Sequence, residues 1–422
     1  MKKLLELGTS VGSTDIVEYA REKGVYTIVT DYLPPERSAA KRAADEVAEI
    51  STGDVDELIR FAKEKGVDAA FAGVSEFNIE SARKINDALG VPFYYTTEQW
   101  DMFMKKDRFR ELCEKYHVDT PKTYFSGDGH SLTDAVVESI EYPVIIKPVD
   151  NGANVGITIC RSSENLKEAV STALAASDAG RIIIEQFVTG PEISMTYVVQ
   201  DHCCKMVCMG TKYAYKTGNG LQALAHGYVY PSPCTEEYLE KADENVRKMI
   251  LGSGLNNSTI FFQGIYNDHR FYIFESGLRL EGTATFRITE SITGQSFMKF
   301  LVDTVLQEET TYDIRKEDPT FGGKKCFIFS LIAREGTITK IIGTETVKED
   351  SNIFAFEQRY YVGGKIKNDG TLKQIVFRFA IRNDDINEVI HTINRIKRNI
   401  LVLDENGEDM LIKSFDPEIL RK

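Results

Sequence analysis

Several protein classes are excluded by what this chain lacks. Its 422 residues contain no apolar stretch near the ~18–20 residues that span a bilayer, and no basic-then-apolar leader opens it, so a cytoplasmic protein with no membrane partner is expected. Seven cysteines form no C-x-x-C pair, and the close group Cys203, Cys204 and Cys208 lies in an apolar, strand-like run. That pattern reads as reduced, buried thiols of a cytosolic protein. An excess of basic charge is also missing. Against 51 Lys and Arg stand 64 Asp and Glu, a formal net charge of -13, and such a field repels phosphate backbones and anionic lipid. Nucleic-acid partners are therefore not expected, although a local basic pocket for a nucleotide is compatible with the balance. Two familiar phosphate-binding signatures are absent as well. The first strand–helix turn is not G-x-G-x-x-G, and no lysine sits inside a glycine-rich loop before a helix as a Walker A loop requires. No Ser or Cys has a recognisable triad context.

What is present is an ordinary globular balance, 42% hydrophobic and 27% charged, over a length that implies two or three domains. The amino-terminal third alternates strands and helices. Residues 3–7 read as a strand, 8–13 as a small-residue turn, 15–23 as a helix, and 25–29 as a second strand ending at Asp31; a helix over 56–65 and a strand over 67–72 follow. Units of this length imply a parallel sheet, whose ligands collect beyond the carboxyl ends of the strands. Those ends are 8–13, Asp31 and 73–76. The turn at 8–13 reads either as a seat for an anion or carboxylate on backbone N–H groups or as a plain tight turn. Glu76 reads either as a substrate-facing carboxylate or as a helix-start charge.

The middle of the chain carries the chemistry. Lys106 falls where a helix opens (104–109). Lys147 closes the apolar run 142–148, and a lysine there needs an anionic partner, because burying an unpaired ammonium is costly. The glycine-rich stretch 150–157, with Gly152 and Gly156, follows at once and leads into a strand at 157–159. Small residues let backbone N–H groups approach phosphate oxygens, so a phosphate flap carried on a hairpin is expected. A buried strand then ends in Glu185, Gln186, Phe187 and Val188, and a turn precedes Glu192. Further on, 260–266 and 271–274 read as a hairpin turning at 267–270. Gln263 and Glu275 then lie on adjacent antiparallel strands with both oxygens available to one cation; magnesium prefers few protein oxygens plus phosphates and water.

Taken in order and spacing, the run from Lys106 to Arg279 resembles the ATP-grasp superfamily, with likeness to its biotin-carboxylase-like and L-amino acid ligase-like members across nearly the whole chain. The resemblance implies an α/β multidomain protein: a parallel-sheet N-terminal domain (1–100), ATP-grasp α+β central domains (101–310, with a nucleotide-clamping subdomain near 115–190) and a β-rich C-terminal lid subdomain (311–422). It implies a carboxylate–amine ligase using ATP and Mg2+, acting through an acyl phosphate on small-molecule carboxylate and amine substrates, and a homodimer formed through the amino-terminal domain. Lys106 and Lys147 would hold phosphates, the Gly152–Gly156 loop would close over them, and Glu185 would meet the adenine amino group. The backbone of Phe187 and Val188 would meet the adenine edge, and Glu192 the ribose. Glu275 and Gln263 would serve the metal, and Arg279, with Lys147, the transferred phosphoryl group. Two departures stand out: Gly277 replaces the asparagine of the family's Glu-x-Asn-x-Arg strand, and Gln263 stands where glutamate is common. A carboxylase-like or purine-pathway-like enzyme, or a nucleotide-binding protein with little turnover, are the alternative readings. No biotinyl carrier or glutaminase segment is evident for the carboxylase or carbamoyl phosphate synthetase reading.

Three further candidates each carry two readings. His226 is a substrate-facing or a structural histidine. Lys212, Tyr213 and Lys216 line the phosphate path or form a solvated basic strand end. Arg287 is a carboxylate clamp, suited to bidentate pairing, or a salt-bridge partner. Beyond them, 293–296 cap a helix running through Val305, residues 325–332 and 337–342 read as a hairpin joined at 334–336, and 384–400 as an amphipathic helix.

Overall fold

The computed structural model describes residues 1–150, 155–215, 224–368 and 370–421. Gly152 and Lys216 lie outside the described residues. The amino-terminal third folds as expected from its alternation. Strands β1 (Lys3–Leu7), β2 (Tyr26–Thr30), β3 (Glu46–Ala48) and β4 (Ala69–Phe71) form a sheet in the order β3-β2-β1-β4, and every pair in it is parallel. Helices on the connections bury both faces, which is why the strands read as near-continuous apolar runs. Ser75 caps the helix Glu76–Leu89, its side chain accepting from the Asn78 N–H, and so sets Glu76 on the first turn.

Strands β5 (Thr123–Asp128), β6 (Val144–Pro148), β7 (Thr158–Cys160) and β8 (Arg181–Gln186) form a second, wholly antiparallel sheet, ordered β5-β8-β6-β7. The helix Leu166–Ala175 closes one face of it around Val144, Ile146, Ile182 and Ile184. The third sheet is the largest. From β13 (Arg270–Gly277) it runs through β12 (Ser258–Asn267), β9 (Glu192–Gln200), β10 (Cys203–Ala214), β11 (Ala225–Tyr230) and β14 (Cys326–Ala333) to the strands Ile375–Arg382 and Ile353–Gln358. It is continuous across position 310, so the carboxyl-terminal residues extend the central sheet while keeping a core of their own around Phe329, Phe377 and Ile393.

One expectation is corrected here. Residues 325–332 and 337–342 do not pair as a hairpin. The first run, β14, lies between β11 and Ile375–Arg382, whereas Gly336–Thr337 pairs with Lys365–Ile366 and Lys340–Ile342 with Leu401–Leu403. The cause is burial. Every residue of β14 is buried, so it needs a strand on each side and a covered pair of faces, which a solvent-facing hairpin partner does not supply.

Buried beneath the strand ends is Glu6 on β1, without exposed surface. The Ser13 side chain and the Gly73 backbone are its polar neighbours, yet neither oxygen has a well-aligned hydrogen bond. Burial pushes its carboxyl from the ordinary 4.5 up to about 8. A pKa raised on folding means that the native state holds the proton longer than the unfolded chain, so stability declines as pH rises from 4.5 to 8. Glu6→Gln, uncharged and of the same shape, removes that decline. The variant is expected to gain on the order of 3 kcal/mol over the wild type between pH 4.5 and pH 8, read by urea denaturation at the two pH values. An equal difference at both would show that Glu6 is already ionised in the native state.

Candidate active site

Side chains from three parts of the chain converge between the second and third sheets. Lys106 is the first residue of the helix Lys106–Lys115, and Arg110 stands one turn later on the same face. Lys147 and Glu185 come from neighbouring strands: Ile145 is opposite Glu185, so Lys147, two residues on, is its diagonal neighbour on the same face. Glu185 has no exposed surface, and its carboxylate is shared between the Arg110 guanidinium and the Lys147 ammonium, the latter at 2.7 Å. Burial alone would raise its pKa; the two cations outweigh it and hold the carboxyl down at about 2. Arg110 also donates to the Phe274 carbonyl at 2.9 Å, and the Lys147 ammonium stands 5.7 Å above the Phe274 ring. The group is thus stapled to β13, where Glu275 is the next residue.

Lys106 belongs to the same electrostatic group. Burial lowers its pKa, Glu275 opposes that, and Lys147 and Arg110 add to it. Gln263 and Glu275 are direct cross-strand partners on β12 and β13, brought opposite each other by a bulge between Gln263 and Gly264; a regular ladder counted back from Asn267 and Arg270 would set Gln263 opposite Phe274. Their side chains therefore leave the sheet on one face about 5 Å apart at Cβ. Among the described residues, no three His, Cys, Asp or Glu side chains converge as a metal site.

At Gly277 the missing asparagine has a physical cause. A Cβ there would stand 2.4 Å from the Phe261 ring, which lies directly across from it on β12. The same ring carries the Arg279 guanidinium 4.8 Å above its centre. Gly277→Asn alone is therefore expected to cost about 1–3 kcal/mol by overpacking, and Gly277→Asn with Phe261→Ala to recover part of it, both read by chemical denaturation. A single variant as stable as the wild type would show that the ring has another place to go.

The remaining candidates fall as follows. Arg279 reaches across to the helix Glu76–Leu89 and grips Glu76, with Nε and Nη2 at 3.0 and 2.9 Å from one carboxylate oxygen. Arg287 makes a bidentate pair with Asp15 at 2.8 and 2.6 Å, so the clamp it forms holds a protein carboxylate. Glu192 is paired with Lys212, its cross-strand partner, at 2.6 Å. The Phe187 N–H is engaged by the Pro143 carbonyl. At Gly156 (φ 73°) a Cβ would meet the Ala176 methyl at 2.4 Å, so only glycine lets the loop lie against that helix end. His226 is packed between the rings of Tyr215 and Phe415, its Nε2 3.2 Å from the Ser414 hydroxyl, with its pKa lowered to about 4 by burial and then by Lys397. It is neutral at pH 7.

Two findings revise the expectations. Glu185, fully buried and engaged by two cations, presents no accessible oxygen to an adenine amino group; its work here is to hold Lys147 and Arg110. Arg110 was not anticipated, although its position four residues after Lys106 on an expected helix was a usable signal.

An antiparallel clamp closing on a larger sheet, with lysines from both sides of the cleft facing a carboxylate-bearing strand, is the ATP-grasp arrangement. Residues 115–273 match the family model described as D-ala D-ala ligase C-terminus. Over 273 residues the chain is 24% identical to the formate-dependent phosphoribosylglycinamide formyltransferase of Bacteroides fragilis, a stretch covering 63% of this chain and 69% of that protein. Of two proteins of the same name from Prochlorococcus marinus it spans 53%. Among solved structures, it is similar to the biotin carboxylase–β,γ-ATP complex of Campylobacter jejuni (TM-score 0.80, 15% identity, covering 100% of this chain and 95% of that one). It is also similar to the L-amino acid ligase of Bacillus licheniformis (TM-score 0.78, 17% identity, 96% and 99%). The chain therefore has the ATP-grasp fold of these structures, and residues 115–273 are similar to the ligases that the family model describes. Among the described residues no helix is long and apolar enough to cross a membrane.

Proposed function

We propose that this chain is a carboxylate–amine ligase that works through an acyl phosphate. The γ-phosphoryl group of ATP passes to a carboxylate oxygen, leaving ADP. The amine nitrogen then bonds to the carbonyl carbon, the C–O bond to phosphate breaks with its electron pair on phosphate, and the amine gives up a proton. The observation that carries this reading is the convergence of Lys106, Lys147 and Glu275 from three separate elements in one electrostatic group. Phosphoryl transfer needs little else than positioning and neutralisation of negative charge, and this group supplies both.

In this reading Lys106 and Lys147 neutralise nucleotide phosphates, and the loop ending at Gly156 closes over them. Backbone groups at Phe187 and Val188 border the base, and Glu192 meets the ribose. Arg279 meets the acyl phosphate. Glu275, with the Gln263 amide beside it, would hold one Mg2+ that the nucleotide and water complete; the metal supplies charge neutralisation on the phosphates. The division into 1–100, 101–310 and 311–422 belongs to the same proposal, as do a homodimer and a cytoplasmic site of action.

The test is phosphate release in the presence of Mg-ATP, screened over carboxylates with amine acceptors. Release that needs both partners is expected, and release driven by bicarbonate alone would overturn the reading in favour of a carboxylase. Glu275→Ala is expected to lower turnover at least about 100-fold; full turnover in that variant would remove the metal assignment.

A further inference from the structure

Arg110 carries more charge into the buried group than Glu185 needs. The side chain is only 8% exposed and its guanidinium bridges two strands: Nε meets the Glu185 carboxylate on β8, and Nη2 donates to the Phe274 carbonyl on β13 at 2.9 Å. Glu185 already has a counter-charge in Lys147, 2.7 Å away, so one cation would balance it. A second cation adds like-charge repulsion in a buried place. Nη1, also buried, has no hydrogen-bond partner among the described residues, and a buried donor left unmet costs roughly 1–3 kcal/mol. Stability is a poor reason for such a side chain, and local rules broken without a gain in stability mark functional sites.

The second contact falls on a particular residue. From the turn inward, β12 and β13 pair regularly until Gly264 meets Ile273, and the next pair is Gln263 with Glu275. Phe274 is the extra residue of the bulge, with no partner of its own on β12. β13 is also the edge of the third sheet, so no further strand serves its outer side. Two groups from outside the sheet serve it instead: the Asp119 carbonyl accepts from the Ile273 N–H at 2.9 Å, and Arg110 donates to the Phe274 carbonyl. Without the bulge Phe274 would stand opposite Gln263, and Glu275 would point to the other face of the sheet, because successive residues of a strand alternate. The bulge therefore keeps Glu275 on the face of Gln263, and Arg110 holds the bulged carbonyl.

From this geometry we infer that Arg110 is a positioning residue of the reaction. Through Glu185 it sets Lys147, and through the Phe274 carbonyl it fixes the bulge that aims Glu275, so one side chain registers the phosphate-holding cation against the metal-holding carboxylate. In this role Arg110 need touch neither nucleotide nor metal. The inference rests on the reading of Lys147 as a phosphate ligand and Glu275 as the metal ligand. Nothing in it requires turnover, so it is tested by binding.

Full-length protein is titrated calorimetrically with a non-hydrolysable ATP analogue, once in EDTA and once with saturating Mg2+. The ratio of the two affinities is internal to each variant, so general destabilisation does not move it. Mg2+ is expected to tighten binding to the wild type. Arg110→Lys keeps a charge for Glu185, but one ammonium cannot also reach the Phe274 carbonyl. It is expected to bind the analogue in EDTA within about threefold of the wild type and to lose about tenfold or more of the Mg2+ enhancement. Arg110→Met drops both contacts and is expected to lose about tenfold in EDTA as well. Arg110→Lys with the wild-type enhancement, or with both affinities lowered by one factor, overturns the inference and leaves Arg110 a structural residue; so does an Arg110→Met protein that binds as the wild type does in EDTA. Arg110→Lys decides alone if Arg110→Met does not fold. A wild type without Mg2+ enhancement, or a Glu275→Ala protein that keeps it, brings down the metal reading and the inference with it. If Glu275→Ala abolishes the enhancement and Arg110→Lys does not lower it, only the inference falls.

Discussion

Replacing Glu185 by alanine is expected to cost about 3–5 kcal/mol and to melt the clamp sheet, because it leaves the Lys147 ammonium and the Arg110 guanidinium buried with their common counter-charge gone. The loss falls on β8, which joins β5 to β6, so the whole four-stranded sheet depends on it. The pH dependence follows from the held-down carboxyl. A native-state pKa of about 2 against an ordinary 4.5 means that the ionised pairing stabilises the fold fully above pH 4.5 and is lost as pH falls toward 2. The stability difference between wild type and Glu185→Ala is therefore largest at neutral pH and narrows in acid. Glu6 has the opposite sign, losing stability as pH rises, so the two carboxylates can be told apart in one pH series. Guanidinium denaturation followed by circular dichroism reads the first effect, and a Glu185→Ala protein as stable as the wild type at pH 7 would remove the triad from the account. A buried ion group is weak evidence for net stability, since well-packed apolar residues of the same volume often do as well or better. What the triad adds is orientation, because Lys147 is held by Glu185 and lies 5.7 Å over the Phe274 ring, one residue from Glu275.

Much of this arrangement was legible in the sequence wherever the determining partner was close along the chain. That Gln263 and Glu275 lie on adjacent antiparallel strands follows from the four-residue turn, whereas their direct pairing depends on a bulge between Gln263 and Gly264 that the turn does not announce. Lys147 at the end of an apolar strand announced the need for an anion, though the anion was Glu185 on the next strand rather than a phosphate alone. Legibility failed where the partner was distant. Arg287 meets Asp15, 272 residues away, and Arg279 meets Glu76, 203 away. No local pattern selects such pairs. The misread hairpin at 325–342 failed for the same reason: alternation assigns a face to each residue but not a neighbour to each strand, and β14 took its neighbours from residues about fifty positions later and a hundred earlier. Gly277 could be seen as a departure, but its cause, the Phe261 ring across the ladder, needed the register.

Arg279→Met is expected to lower turnover about 10²–10³-fold while changing ATP affinity little and stability hardly at all. The reasoning begins with how the side chain is held. Its guanidinium is stacked 4.8 Å over Phe261 and bonded through two nitrogens to one oxygen of Glu76, with only 18% of the side chain exposed. A group so placed is already oriented before a reaction begins, and a preorganised charge acts on developing negative charge without reorganisation cost. Glu76 itself is 45% exposed, and an ion pair of that kind contributes at most about 1 kcal/mol, which is why stability should not register the loss. Glu76→Gln keeps a hydrogen-bond acceptor for the guanidinium but drops the charge, so a smaller fall, of the order of tenfold, is expected. The two variants together separate a group acting on the acyl phosphate from one that merely joins domains. If Arg279 only tied the helix Glu76–Leu89 to the central sheet, Arg279→Met and Glu76→Gln would lower the melting temperature in step and leave kcat near that of the wild type. Steady-state kinetics beside thermal unfolding of both variants decides between the two, and an Arg279→Met enzyme keeping more than a tenth of wild-type kcat would assign the residue to structure.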